Sequence, residues 1–174
     1  MLVCGLSGSK DWTKLEPFYY RARESFGTAV QHSRERGAAL YNTPDMKQFL
    51  EWIGVKQRLD AQGHQPPLIS EGDLWWCALG ENVGIEAGGK SKDFTRPVII
   101  LKKFGRLGFL GIPTTTQHRT GSWYMSFMHK GIKETAVLSQ ARVLSYKRLH
   151  RKMGTLDETD FKNVKEAYVR LLAE

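Results

Sequence analysis

Val98-Ile99-Ile100-Leu101 is an unbroken apolar run, entered through Arg96-Pro97 and left through Lys102-Lys103. A short β-branched run bounded by polar residues predicts a buried strand rather than a helix. Proline fixes the backbone at the start of this strand and removes one ladder donor, which suits a strand's first residues. The strand 96–103 therefore holds one arginine, Arg96, rigidly at its mouth.

Similar runs lie on either side. Asp73-Leu74-Trp75-Trp76-Cys77-Ala78-Leu79 predicts a strand before it. A long loop over 80–94 follows, with Gly80, Gly84, Gly88 and Gly89. Gly105 and Gly108 bracket a turn, and Gly108-Phe109-Leu110-Gly111-Ile112-Pro113 predicts a third strand running into Thr114-Thr115-Thr116. Residues 123–128 alternate as a fourth strand, and 135–138 with 142–144 make a fifth. Leu149 sits in a short basic turn, and 153–156 is a short sixth strand or turn. Asp157 then caps a helix whose apolar stripe is Phe161, Val164, Tyr168, Leu171 and Leu172. Short strands at close spacing, closed by one helix, predict a mainly β (α+β) domain: a small curved β-barrel of 5–7 strands with a C-terminal helix.

Before Gly72 the pattern is different. Thr43-Pro44-Asp45 opens a helix with a cap, a proline at the first helical position and an acid at the positive end of the dipole. Met46, Phe49, Leu50, Ile53 and Leu59 form its expected apolar face, and 61–67 make a Pro/Gly linker. Residues 1–42 carry no motif and read as a weakly ordered extension, so that Met46 is a candidate translation start. The organisation is thus 1–42 extension, 43–71 helix and linker, and 72–174 a β domain.

The charge narrows the function. The chain carries a formal +8 at pH 7. Residues 90–152 hold 14 Lys and Arg against two acids, Asp93 and Glu134. So concentrated a field attracts polyanions such as nucleic acid. No run of apolar residues is long enough to span a membrane as a helix. Two distant cysteines, Cys4 and Cys77, argue against a disulfide framework and for a reducing cytoplasm.

Several chemistries find no support. The histidines at 32, 64, 118, 129 and 150 are not spaced as metal ligands, and no metal or cofactor is expected. Gly84-Ile85-Glu86-Ala87-Gly88-Gly89-Lys90 lies between strands and is neither a phosphate-binding P-loop nor a dinucleotide fingerprint; it reads as a lid or recognition loop. No Gly-x-Ser-x-Gly elbow is present, and Cys77 reads as core. Arg96, Thr115, His118 and Glu86 remain. A guanidinium can bind a phosphate bidentately and stabilise charge growing on it. A hydroxyl of the Thr114-Thr115-Thr116 run can reach the same group. RNA supplies its own nucleophile, the 2′-OH, so a protein need add only a base, an acid and charge stabilisation.

Six short motifs occur in order: Gly72-Asp73-Leu74-Trp75-Trp76, Gly84-Ile85-Glu86 with Gly88 and Gly89, Arg96-Pro97-Val98-Ile99, Ile112-Pro113-Thr114-Thr115, Leu138-Ser139-Gln140-Ala141-Arg142, and Lys152-Met153-Gly154-Thr155-Leu156. In these, residues 72–174 resemble the MazF/PemK toxins of bacterial toxin–antitoxin systems. The resemblance implies an SH3-like (CcdB/MazF-like) barrel, normally a homodimer. It implies a cytoplasmic, metal-independent endoribonuclease that cuts single-stranded RNA at short sequences, leaving a 2′,3′-cyclic phosphate and a 5′-OH. It puts the essential arginine on Arg96, the essential threonine on Thr115 and the loop glutamate on Glu86, and groove-lining positions on Gln140 and Arg142. His118 has no fixed counterpart. Lys90, Lys102, Lys103, Thr114, Thr116, Gln117 and Arg119 complete the expected RNA-binding set. The expected partners are mRNA, a cognate antitoxin with an acidic disordered tail, and operator DNA only through the antitoxin complex.

Two features depart from that pattern: the extra residues Lys90-Ser91-Lys92-Asp93-Phe94 between Glu86 and Arg96, and everything before Gly72. Two other readings compete with RNA cleavage, a CcdB-like toxin that binds DNA gyrase and a non-catalytic nucleic-acid-binding barrel.

Overall fold

A computed structural model describes residues 44–63 and 65–173. The reading of 1–42 as an extension and the Thr43 cap lie outside the described residues. Contacts given below fall within the unit Gln48–Glu174.

Helix α1 spans Pro44–Ala61. Strands β1 (Asp73–Ala78), β2 (Thr95–Phe104) and β3 (Gly108–Thr115) follow, then β4 (Tyr124–His129), β5 (Ile132–Val137), β6 (Arg142–Ser145) and β7 (Leu149–Thr155). Helix α2, Glu158–Ala173, ends the chain. The pairing is antiparallel throughout, in the order β4-β5-β3-β2-β1-β7, with β6 also on β3.

The expected strand count and closing helix are present, but among the described residues the sheet does not close into a barrel. The reason lies in β3. Its residues 108–111 pair with β6, and Thr114 and Thr115 pair with β5. Its second edge is thus shared between two strands, while β4 and β7 end the path with one neighbour each.

β2 is buried on both faces, which explains its unbroken apolar sequence. Val98 and Ile100 pack with Trp75, Cys77, Phe109, Leu144 and Leu149 on one side. Ile99 and Leu101 pack with Leu74, Ile112, Phe127, Ala136 and the α2 residues Val164 and Ala167 on the other. Burying one such side chain is worth roughly 1.5–3 kcal/mol. Cys77 is fully buried among them, as expected, and desolvation pushes its thiol up to about 12.

Three expectations need correction. The stretch 135–144 is not one strand. Ile132–Val137 forms a hairpin with β4 through Lys130-Gly131, both at positive φ, as a tight two-residue turn requires. A 3₁₀ turn at Leu138–Gln140 then buries Leu138 and separates β6. Residues 149–155 form a full strand, not a turn. His150, Arg151 and Lys152 are exposed there because β7 lies at the sheet edge. On α1, finally, Phe49, Leu50 and Ile53 are exposed; the packed face is Trp52, Val55 and Leu59.

Trp52 seats the part of α1 from Gln48 onward on the sheet. It is 5% exposed and packs on Ala78 and Phe94. Its ring is tilted against Phe94 at a centroid distance of 5.5 Å. Gly80, at φ +91°, leaves the space it fills, since a Cβ there would stand 2.1 Å from the indole. Arg148 covers the same ring at 5.6 Å and donates to the Ala78 carbonyl at 2.9 Å.

Candidate functional site

β2 and β3 pair as far as Val98 and Pro113. Beyond this pair the strands part, because β3 turns to β5. A cleft of about 170 Å³ opens there, lined by Arg96 and Pro97 of β2, Thr114, Thr115 and Thr116, and Trp76, Lys90, Thr95 and Glu134. Arg96 and Thr115 each lie two residues beyond that last pair.

Arg96 is oriented from one side. Its Nε donates to the Gly88 carbonyl at 2.7 Å. Neither Nη nitrogen has a partner among the described residues. Burial lowers its pKa from the usual guanidinium value, yet an arginine stays charged at any ordinary pH. Thr115 is held too. Its Oγ1 accepts from the Gln117 amide at 3.2 Å, which leaves its hydroxyl hydrogen free to donate. Thr114 is buried and donates to Glu134 Oε2 at 3.0 Å. The other oxygen of Glu134 lies 3.4 Å from His129 Nδ1.

The loop between β1 and β2 is anchored rather than free. Gln140 accepts from the Ala87 amide at 2.8 Å, and Arg142 Nη2 donates to the Ala87 carbonyl at 2.8 Å. Asn82 donates to the same carbonyl at 2.9 Å. Gln140 and Arg142 therefore hold the loop that in turn holds Arg96. Burial, and then the nearby Arg148, lower the Arg142 pKa. Its buried Nε has no hydrogen-bond partner among the described residues.

The other candidates lie outside the cleft. Glu86 is exposed, with Oε2 accepting from the Val83 amide at 3.4 Å. His118 is exposed beyond the end of β3. Gln117 and Arg119, also exposed, pair with each other at 3.1 Å. Lys102 and Lys103 lie at the far end of β2, about 20 Å from Arg96 at the usual strand rise. Lys102 is engaged there with Glu71 at 3.0 Å.

Sequence reasoning missed Glu134 and Trp76 as lining residues. Glu134 looked like a stray acid in a basic segment, and only the pairing of β3 with β5 brings it to Thr114. Trp76 was read only as part of a strand; it is half-buried and, alternating with Trp75 and Cys77, lies on the other face of β1.

Fold and site together define a small antiparallel β domain with a cationic cleft at the parting of two strands. The family of PemK-like, MazF-like toxins of type II toxin–antitoxin systems matches residues 70–172, and the chain belongs to it. MazF from Deinococcus radiodurans is similar in structure, with a TM-score of 0.51 at 17% identity over 62% of this chain and 99% of that one. An endoribonuclease in complex with its cognate antitoxin, from a mycobacterial species, gives 0.49 at 14% identity over 61% and 96%. A mycobacterial endoribonuclease gives 0.48 at 14% over 64% and 96%. No curated protein matches the chain.

Proposed function

We propose that the chain is the toxin of a type II toxin–antitoxin pair and acts as a metal-independent, sequence-specific endoribonuclease on single-stranded RNA. Its effect is to stop translation and growth. The observation that carries this reading is the cleft shared by Arg96 and Thr115. Family membership supports it.

In the proposed reaction the 2′-OH attacks the adjacent phosphorus. The O2′–P bond forms and the P–O5′ bond breaks, giving a 2′,3′-cyclic phosphate and a 5′-OH. The 2′-OH loses its proton to a base, and the departing O5′ gains one. Arg96 is suited to the phosphate because its Nε is already committed to Gly88 and both Nη nitrogens are open to the non-bridging oxygens. Thr115 adds a hydroxyl donor. Glu86 or His118 moves the proton in this scheme, and each must approach from its exposed loop. The toxin acts as a cytoplasmic homodimer, and its antitoxin covers the basic groove with an acidic tail. It meets operator DNA only through that complex.

Incubation of the pure protein with a long single-stranded RNA in EDTA tests the reading. Discrete fragments are expected. Binding without cleavage would replace this reading with a non-catalytic one.

A further inference from the structure

A wider pocket, of about 490 Å³, adjoins the Arg96–Thr115 cleft and shares Trp76, Lys90 and Thr95 with it. One wall is the turn carrying Lys90, Ser91 and Asp93; the other is His150 and Arg151 of β7. Trp76 stands between them. It pairs with Arg151 on one side and Pro97 on the other, so the three side chains share one face of the sheet.

The turn 90–94 is built to hold its shape. Lys90 and Thr95 exchange two backbone hydrogen bonds, at 2.8 and 3.1 Å. Ser91 and Phe94 take positive φ values of 64° and 51°, a strained choice for residues other than glycine that recurs at ligand clamps. Phe94 is 2% exposed and locked under Trp52. These residues, which interrupt the family pattern, thus form a pre-organised wall and not a slack insertion. Neither Lys90 nor Arg151 has a side-chain partner among the described residues. Two unpaired cations across an aromatic ring, in a pocket of this size, match a nucleotide: phosphate to the cations and base to the ring.

We infer that this pocket is the subsite for the nucleotide next to the scissile phosphate, with Lys90 and Arg151 on its phosphate and Trp76 against its base. The inference rests on the RNA-cleaving reading of the cleft. It assigns to Lys90–Phe94 and the edge of β7 a share in choosing the RNA sequence.

The test is equilibrium binding of a single-stranded RNA oligomer carrying a 2′-deoxy residue at the cleavage position, measured against salt, so that no cleavage is needed. A K90A/R151A variant should bind about tenfold more weakly. Its plot of log affinity against log salt should be shallower by about 1.4, the loss of two phosphate contacts on a single strand. Trp76→Ala should weaken binding, and Trp76→Phe should restore most of it. A folded K90A/R151A protein with unaltered slope and affinity overturns the inference. So does a variant that loses only a poly-glutamate peptide, which would make the pocket an acidic-peptide site. A wild-type protein that binds as described but cuts no RNA leaves the subsite standing and removes the catalytic reading.

Discussion

Arg96 and Thr115 each lie two residues past the Val98–Pro113 pair, where β2 and β3 cease to pair, and both border the same cleft. The parting has a structural cause. β3 exchanges β2 for β5 as its partner at Thr114 and Thr115. A strand that continued to pair with β2 would fill this space with its own ladder.

Arg96→Ala should lower kcat by about 10²–10³, the usual cost of one strong oxyanion donor. Arg96→Lys should recover little of it, since a lysine cannot bond Gly88 and a phosphate as one rigid fork. Rates on a defined RNA, with circular dichroism to show an intact fold, give the answer. Thr115→Val should fall in the same direction by less.

The loop anchors make a separate prediction. Gln140→Ala leaves the Ala87 amide without its acceptor and frees the loop that orients Arg96. Backbone amides of 85–89 should exchange faster with deuterium, and activity should fall without loss of global stability. Unchanged exchange would mean that Gln140 does not hold the loop.

Trp52 and Gly80 should behave as a coupled pair. Trp52→Ala removes a buried aromatic and should cost about 3–5 kcal/mol in urea unfolding. Gly80→Ala forces a Cβ into the indole at a positive φ and should also destabilise. Made together, the two should cost less than their sum, because the cavity left by Trp52 admits the new methyl. Strict additivity would show that α1 is not seated on Gly80.

Asp73 gives the expected pH dependence. Burial pushes its carboxyl up, but hydrogen bonds from Lys152, Ser70, Thr155 and Trp75 outweigh this and hold it below its usual value. Lys152 Nζ lies 2.6 Å from the buried carboxylate. A carboxyl whose pKa is lower in the folded state stabilises the fold above its unfolded pKa. That contribution is lost as pH falls through the folded value. Acid unfolding below about pH 4 should therefore lose part of its steepness in Asp73→Asn. At neutral pH the same variant should be less stable than the wild type.

These predictions draw unequally on what the sequence displayed. β2 was legible because both its faces are buried, so four consecutive apolar residues could mean little else. α2 was legible from the Asp157 cap, whose Oδ1 accepts from the Asp160 amide at 2.7 Å, and from its stripe, of which Phe161, Val164, Tyr168 and Leu171 pack while Leu172 is exposed. β7 was hidden because an edge strand exposes His150, Arg151 and Lys152, and charge looks like a turn. The α1 face was read correctly only at Leu59, because Phe49, Leu50 and Ile53 satisfy helical spacing as well as Trp52 and Val55 do. Only the hollow at Gly80 decides between them. At the site, the motifs singled out Arg96 and Thr115, and the fold brings both to one cleft. Glu134 and the pocket beside Trp76 were not legible, since both depend on strands that meet only in the folded sheet.

The most direct test of the central claim is the chemistry of the RNA ends. Wild type and Arg96→Ala are each incubated with a single-stranded RNA in EDTA, and both ends of every new fragment are identified. The account predicts 2′,3′-cyclic phosphate and 5′-OH ends from the wild type, and almost no product from Arg96→Ala. Fragments bearing 5′-phosphate, or cleavage by a folded Arg96→Ala protein at the wild-type rate, would contradict it.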